Sequence, residues 1–288
     1  MAADIKVKEK RTLLNQVAVI WKKSPSLILG ILMVLVFVII GIFGDELAPY
    51  DPDKQDFKAL LKPPSAEHIM GTDKYGRDSF SRVLVATKID LQIGIVATIF
   101  PLLIGLIIGS LAAYYGGIVD MLLMRLLDIQ MAFPFYILII TVMVILGPGM
   151  SNMYIALSLT NWIGFARIIR GEILVAKNLD YITAAHALSL SDFRIITRHL
   201  LPNTITPLII YSMTVVVTSV LAAASLGFLG LGVQPPTSEW GVMVALGREY
   251  IEIAPWLLTF PGAAIALMGI AFSLIGDGAA ILVRHRNR

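Results

Sequence analysis

The chain has 288 residues, of which 57% are hydrophobic and 15% charged; its mean hydropathy is +0.80 and its formal net charge +3. Soluble domains carry about 25% charged residues, so this composition argues against an ordinary soluble fold. With no cysteine, disulfide scaffolds, thiolate zinc sites and cysteine nucleophiles are excluded.

Much of the positive charge lies at the two ends, in Lys6, Lys8, Lys10, Arg11, Lys22 and Lys23 and in Arg284, His285, Arg286, Asn287 and Arg288. A nucleic-acid footprint would need basic residues along one folded face, so no nucleic-acid partner is expected. Basic ends flanking apolar blocks read instead as ends held in the cytoplasm.

A helix needs about 20 residues to cross about 30 Å of hydrocarbon. In chain order the candidate spans are Ser26–Phe43, Leu91–Tyr114, Leu126–Leu146, Met153–Ile169, Thr206–Leu231 and Trp256–Ile275. The expected fold class is therefore all-α, a polytopic protein with six transmembrane helices. The first block could be a signal peptide, but Gly44-Asp45-Glu46-Leu47 offers no small-x-small cleavage site, and it is read as an uncleaved span. Pro101, Pro134 and Pro261 interrupt three spans, which neighbouring helices must compensate; a packed bundle follows. Six spans place both termini on one side, and the basic ends make that side the cytoplasm. Residues 45–90 and 232–255 then lie outside, and residues 115–125 and 170–203 inside. Seven Lys/Arg in the outer segment (Lys54, Lys58, Lys62, Lys74, Arg77, Arg82 and Lys88) oppose that charge argument.

The division expected is 1–90, an N-terminal segment with the first span and a Pro- and Asp-rich external loop, and 91–283, a core with five spans and a cytoplasmic loop at 172–203. In that loop Asp180 and Ser191 are candidate N-caps for short helices at Tyr181–Leu188 and Asp192–Leu200, the second ended by Pro202. The first is lined by Ala184, Ala185 and Ala187 beside Tyr181, Ile182 and Leu188. Small residues admit a partner's backbone and larger ones fill pockets, as in a helix laid in a groove; the bland reading is an ordinary interfacial helix.

Other candidates read as structure. Gly71-Thr72-Asp73-Lys74-Tyr75-Gly76-Arg77-Asp78 has two oxygen donors but too few for a calcium loop, and it reads as a brace at the entry to the second span. No Gly-Lys-Ser/Thr run provides an ATP site. Arg125 and Asp128 share a helix face near Asp120. His68, His186, His199 and His285 are scattered, and no span centre carries an unpaired ionisable residue. Trp240, Tyr250 and Trp256 read as interface anchors, with loop 233–255 a place to meet an external protein. Gly105, Gly109, Gly227, Gly230 and Gly232 would let helices approach closely. A self-contained ion-coupled carrier or channel is the rival reading. It needs mid-membrane ion residues and often inverted repeats, and neither is visible. A membrane hydrolase would need a nucleophile and base in a span, and none is seen.

The run Asp180-Tyr181-Ile182-Thr183-Ala184-Ala185-His186-Ala187-Leu188-Ser189, followed by Arg194-Ile195-Ile196 and His199-Leu200-Leu201-Pro202-Asn203, resembles the EAA loop of binding-protein-dependent ABC importer permeases. Gly71–Asp78, Ser225–Gly232, Pro235-Pro236 and Glu239-Trp240-Gly241 resemble the dipeptide/oligopeptide (peptide/nickel) branch, and the first span with its Pro-rich loop resembles the second of its two permeases. Thr183 stands where that family has Glu, and Ser189 where it has Gly, implying a turn less dependent on positive φ. The tail after Gly278 also departs from the pattern.

The resemblance implies a type I ABC importer permease fold and a coupling helix docked on a cytoplasmic ATPase. The coupling residues would be Tyr181, Ile182, Thr183, Ala184, Ala185, His186, Ala187, Leu188, Ser189, Arg194 and Arg198. It implies a chain without catalytic residues, metal or cofactor, ATP and Mg²⁺ acting on partner subunits. The implied partners are a second homologous permease, two ATPase subunits, an external substrate-binding protein and membrane lipid. The implied cargo is a peptide or another solute of that branch, such as a nickel complex, glutathione or a sugar.

Overall fold

The computed structural model describes residues 23–286. The basic head from Lys6 to Lys22 and the end of the basic tail, on which the charge argument rested, lie outside the described residues. Among the described residues there is no strand, only an isolated bridge between Thr72 and Asp78.

The helices are α1 (Pro25–Leu47), α2 (Ser79–Tyr115), α3 (Gly117–Met131), α4 (Phe135–Leu146), α5 (Met150–Ala176), α6 (Asp180–Ala187), α7 (Asp192–Arg194), α8 (Leu201–Thr204), α9 (Thr206–Phe228), α10 (Trp240–Gly247) and α11 (Trp256–Arg286). A π-helical turn, Ile195–Leu200, joins α7 to α8.

Four helices, α1, α2, α9 and α11, are long and apolar enough to cross a membrane, and the bent pair α3–α4 counts as a fifth if taken as one span. The 27-residue α5 is about 40 Å long at 1.5 Å per residue, but Asn152, Asn161, Arg167, Arg170 and Glu172 dilute its apolar character. The expected span Leu126–Leu146, interrupted by Pro134, is two helices: the chain turns by 89° between α3 and α4. Pro134 has no N–H and disfavours helical backbone at Phe133, and it serves as the N-cap of α4.

The second span begins earlier than expected, at Ser79, because Asp78 accepts from the Ser81 amide at 2.8 Å and caps the helix. Residue 90 therefore lies within α2, not at its edge. α2 runs against α5, and Gly105 makes this approach feasible: a Cβ there would lie 2.5 Å from Phe165 Cβ and 2.7 Å from the Trp162 carbonyl. Gly230 does something else. It has φ of +75° with open space around it, so it is a turn glycine and not a helix-approach site.

At the end of the bundle that holds residues 48–78 many buried polar groups are paired, although Ser79 Oγ and Asp90 Oδ1 have no hydrogen-bond partner among the described residues. Asp78 also accepts from Ser81 Oγ at 2.7 Å and meets His68 Nδ1 at 2.9 Å. Arg82 donates to the Pro52 carbonyl and Asp53 at 2.8 Å and to the Pro236 carbonyl at 3.2 Å. Trp240, expected as an interface anchor, is fully buried; its indole donates to the Val83 carbonyl at 3.1 Å and its amide to Asp90 at 3.2 Å. The side chain of Glu239 caps α10 through the Gly241 and Val242 amides at 2.7 and 2.8 Å. Burial pushes the Glu239 carboxyl above its usual range, while those two amides pull it down. The segment Gly71–Asp78 is part of this structure: Asp73 pairs with Arg77 at 2.7 Å, and Trp256 donates to the Thr72 carbonyl at 3.2 Å.

Candidate functional site: the loop at residues 177–204

This loop sits at the opposite end, on an apolar cluster that includes Phe165, Ile169 and Ile173 of α5 and Leu208 and Val215 of α9. Ile182 and Ala185 of α6 belong to that cluster and are 1% and 3% exposed. They share a face because residues three apart on a helix are neighbours. Both side chains face the bundle rather than solvent.

The other side chains of α6 are exposed, His186 among them although its ring stacks on Tyr114. Tyr181, Thr183, Ala184, His186 and Ala187 are exposed, as are Leu188, Ser189, Arg194 and Arg198 beyond it. The largest apolar surface in the loop is Phe193 at 78% exposed, with Leu188 at 74%. Sequence reasoning did not single out Phe193. Its position directly after Asp192, within a polar stretch, was the available signal.

The local backbone differs from the expected one in three ways. Asp180 is the first residue of α6 and makes no side-chain cap; Leu179 occupies the N-cap position. Asp192–Leu200 is not one α-helix, since only Asp192–Arg194 is α-helical before the π turn, and Ser191 makes no side-chain cap either. Pro202 does not end a helix but sits in the first turn of α8, where its missing N–H is tolerated. Finally, Ser189 has φ of +53°, so the turn keeps the left-handed conformation that glycine favours. The Ser189 amide donates to His186 at 2.8 Å and the Leu190 amide to Ala185 at 3.3 Å, which together force that geometry.

Three contacts fasten the loop to the long helices. Lys177 Nζ donates to the Ala113 carbonyl at 2.9 Å, and the Tyr114 hydroxyl donates to Asp192 at 2.7 Å. The Tyr114 ring stacks on His186 with centroids 6.3 Å apart. Nearby, Arg170 of α5 makes two hydrogen bonds of 2.6 Å to Asp120 of α3. Asp120 thus pairs across 50 residues, and the local Arg125–Asp128 pairing does not supply its partner.

The sequence profile of the family described as "Binding-protein-dependent transport system inner membrane component" matches residues 105–288. The chain belongs to that family. A second profile, the N-terminal transmembrane domain of oligopeptide transport permease C, matches residues 12–64. The dipeptide transport system permease protein DppC of Alkalihalophilus pseudofirmus is 39% identical over 89% of this chain and 84% of that protein. The probable D,D-dipeptide transport system permease protein DdpC of Escherichia coli K12 is 38% identical over 94% and 91%. The glutathione transport system permease protein GsiD of Pectobacterium atrosepticum is 41% identical over 86% and 82%. An inward-facing structure of the MetNI methionine ABC transporter matches with a TM-score of 0.53 and 21% identity, covering 69% of this chain and 93% of that one; it shares the fold. This permease is an inner-membrane, multi-pass subunit of an ABC importer and not an enzyme. The family assignment sets aside the reading as an ion-coupled carrier.

Proposed function

We propose that this permease forms half of the translocation pathway of an ATP-driven importer for short peptides or peptide-like solutes, and that α6 with Leu188 and Phe193 is its docking element for a cytoplasmic ATPase. A second homologous permease supplies the other half, two ATPase subunits bind ATP and Mg²⁺, and an external binding protein delivers the cargo. Both termini and the loop at 177–204 are cytoplasmic, with α5 and the bent pair α3–α4 each counted as a crossing to give six. The names of the relatives support the cargo class.

One observation carries the docking role. The loop leaves Phe193 and Leu188 largely exposed beside the exposed cations Arg194 and Arg198, while its inner face is hydrogen-bonded to α2 and packed on α5. Aromatic and arginine side chains are the usual anchors of interfaces. A rigid element with an uncovered apolar face transmits force: closure of the ATPase dimer displaces α6, and the fastened helices tilt with it. ATP drives this change only by binding one arrangement more tightly than the other.

The test uses the full importer, purified through a tag on this chain. The wild-type chain carries ATPase subunits and nucleotide-dependent uptake with it. Ala184→Arg, on the exposed face of α6, should leave the chain inserted and folded but weaken ATPase association by about 30-fold, the scale of an interface hot spot. A wild-type chain that purifies alone and transports on an ion gradient would overturn the reading.

A further inference from the structure

The bend between α3 and α4 opens a recess of about 410 Å³ in the side of the bundle, within the range of about 300–1,000 Å³ that holds small ligands. Its walls come from the bend itself (Gln130, Phe133), from α5 (Asn161, Arg167) and from α9 (Tyr211).

Several of its polar groups are already engaged. Gln130 donates to the Leu159 carbonyl and accepts from the Trp162 indole at 3.0 Å, which ties the bend to α5. Asn161 donates to Ser219 Oγ at 3.0 Å and to the Ala97 carbonyl at 3.4 Å. Two donors remain. Among the described residues Arg167 is exposed to the recess and has no carboxylate within ion-pair distance. The Tyr211 hydroxyl likewise has no hydrogen-bond partner there. Its ring lies edge-on to Phe165 with centroids 5.0 Å apart, over Gly164, where a side chain would strike the hydroxyl.

Arg167 precedes the end of α5 at Ala176 by nine residues, or about 13 Å along the helix axis. If α5 crosses the membrane as proposed above, a cation on it away from its ends is costly, and such groups face water-filled paths and mark what passes. No Asp or Glu lines the recess, so its field is positive and selects anions. The guanidinium fork matches a carboxylate in two parallel hydrogen bonds, and the phenol adds a third donor from the facing helix. Phe133 offers an apolar wall to a side chain next to that carboxylate.

We infer that Arg167 and Tyr211 form a carboxylate-binding station on the translocation path, holding the free C-terminal carboxylate of a short peptide during its passage. The inference rests on the importer reading above.

The chain has no cysteine, so a single cysteine in place of the exposed Phe133 reports on the recess in the whole purified importer, with labelling read as the mass of this chain. The reagents are an anionic and a cationic methanethiosulfonate of similar size, and the competitors are dialanine and dialanine amide at millimolar concentration. With Arg167 present, the anionic reagent should react about tenfold faster relative to the cationic one than it does after Arg167→Gln; Arg167→Lys should keep most of the bias. Dialanine should slow labelling and its amide should not, and Tyr211→Phe should weaken that protection about threefold. An unlabelled cysteine, a bias unmoved by Arg167→Gln, or equal protection by acid and amide would overturn the station. The last would leave Arg167 as a partner for an acidic residue of the second permease. ATPase co-purification is scored on the same samples, so loss of the importer reading itself is seen separately.

Discussion

The two ends of this bundle are built on opposite plans. At the end that holds residues 48–78, Arg82, Asp78, Glu239 and Trp240 are buried and their hydrogen bonds close on groups of the same chain, from Pro52 to Pro236. At the end that holds residues 177–204 the inner face of α6 is packed, but Leu188 and Phe193 are left uncovered. Buried polar groups must be paired within the fold because desolvation is otherwise uncompensated. Exposed apolar groups can wait for a partner. The first end is therefore closed largely by the chain's own groups, and the second leaves apolar surface that the proposed docking would cover.

Substitutions can break that contrast. The largest effect is expected for Trp240→Ala, which empties a fully buried site and removes the indole's hydrogen bond to the Val83 carbonyl, while the backbone amide at 240 keeps its bond to Asp90. It should cost about 3–5 kcal/mol and appear as a large drop in the thermal midpoint of the detergent-solubilised chain, whether or not ATPase subunits are bound. Ala185→Arg comes next. It drives a cation into the cluster of Ile173, Ile182 and Ile195, and should cost about 2–4 kcal/mol, read as protease sensitivity of the loop in the isolated chain. Its neighbour Ala184→Arg should leave that sensitivity unchanged and lose only the partner; equal behaviour of the two would erase the distinction between packed and docking faces. The smallest effect is a gain. Ser189→Gly relieves a left-handed residue, offset in part by the greater freedom of glycine in the unfolded chain, and should stabilise the loop by about 0.5 kcal/mol, seen as slower amide exchange at Leu190.

The contrast also shows where sequence reading reaches. α1, α9 and α11 were legible because a span is a continuous apolar block. α6 was legible within a residue or so because its composition is unusual over a short run. The break at Pro134 was marked by the residue itself, but its 89° angle was not. The Ser189 turn was misjudged because the pull of the Ser189 and Leu190 amides on His186 and Ala185 outweighs the local cost of a non-glycine residue there. Arg167 carries no local signal, because the walls around it come from three separate segments of the chain, at the α3–α4 bend, in α5 and in α9.

From the sequence alone came the class of protein, the order of its apolar blocks, the family resemblance and the short helix expected at Tyr181–Leu188 and found at Asp180–Ala187, all properties of contiguous residues. Tertiary structure alone decided that Ala185 is packed and Ala184 is not, that Asp120 belongs to Arg170, and that Trp240 closes on Asp90 and Val83. Those partners are 50 to more than 150 residues apart. Which side chain meets which at such separations is set by how the helices pack together, and no local pattern encodes it.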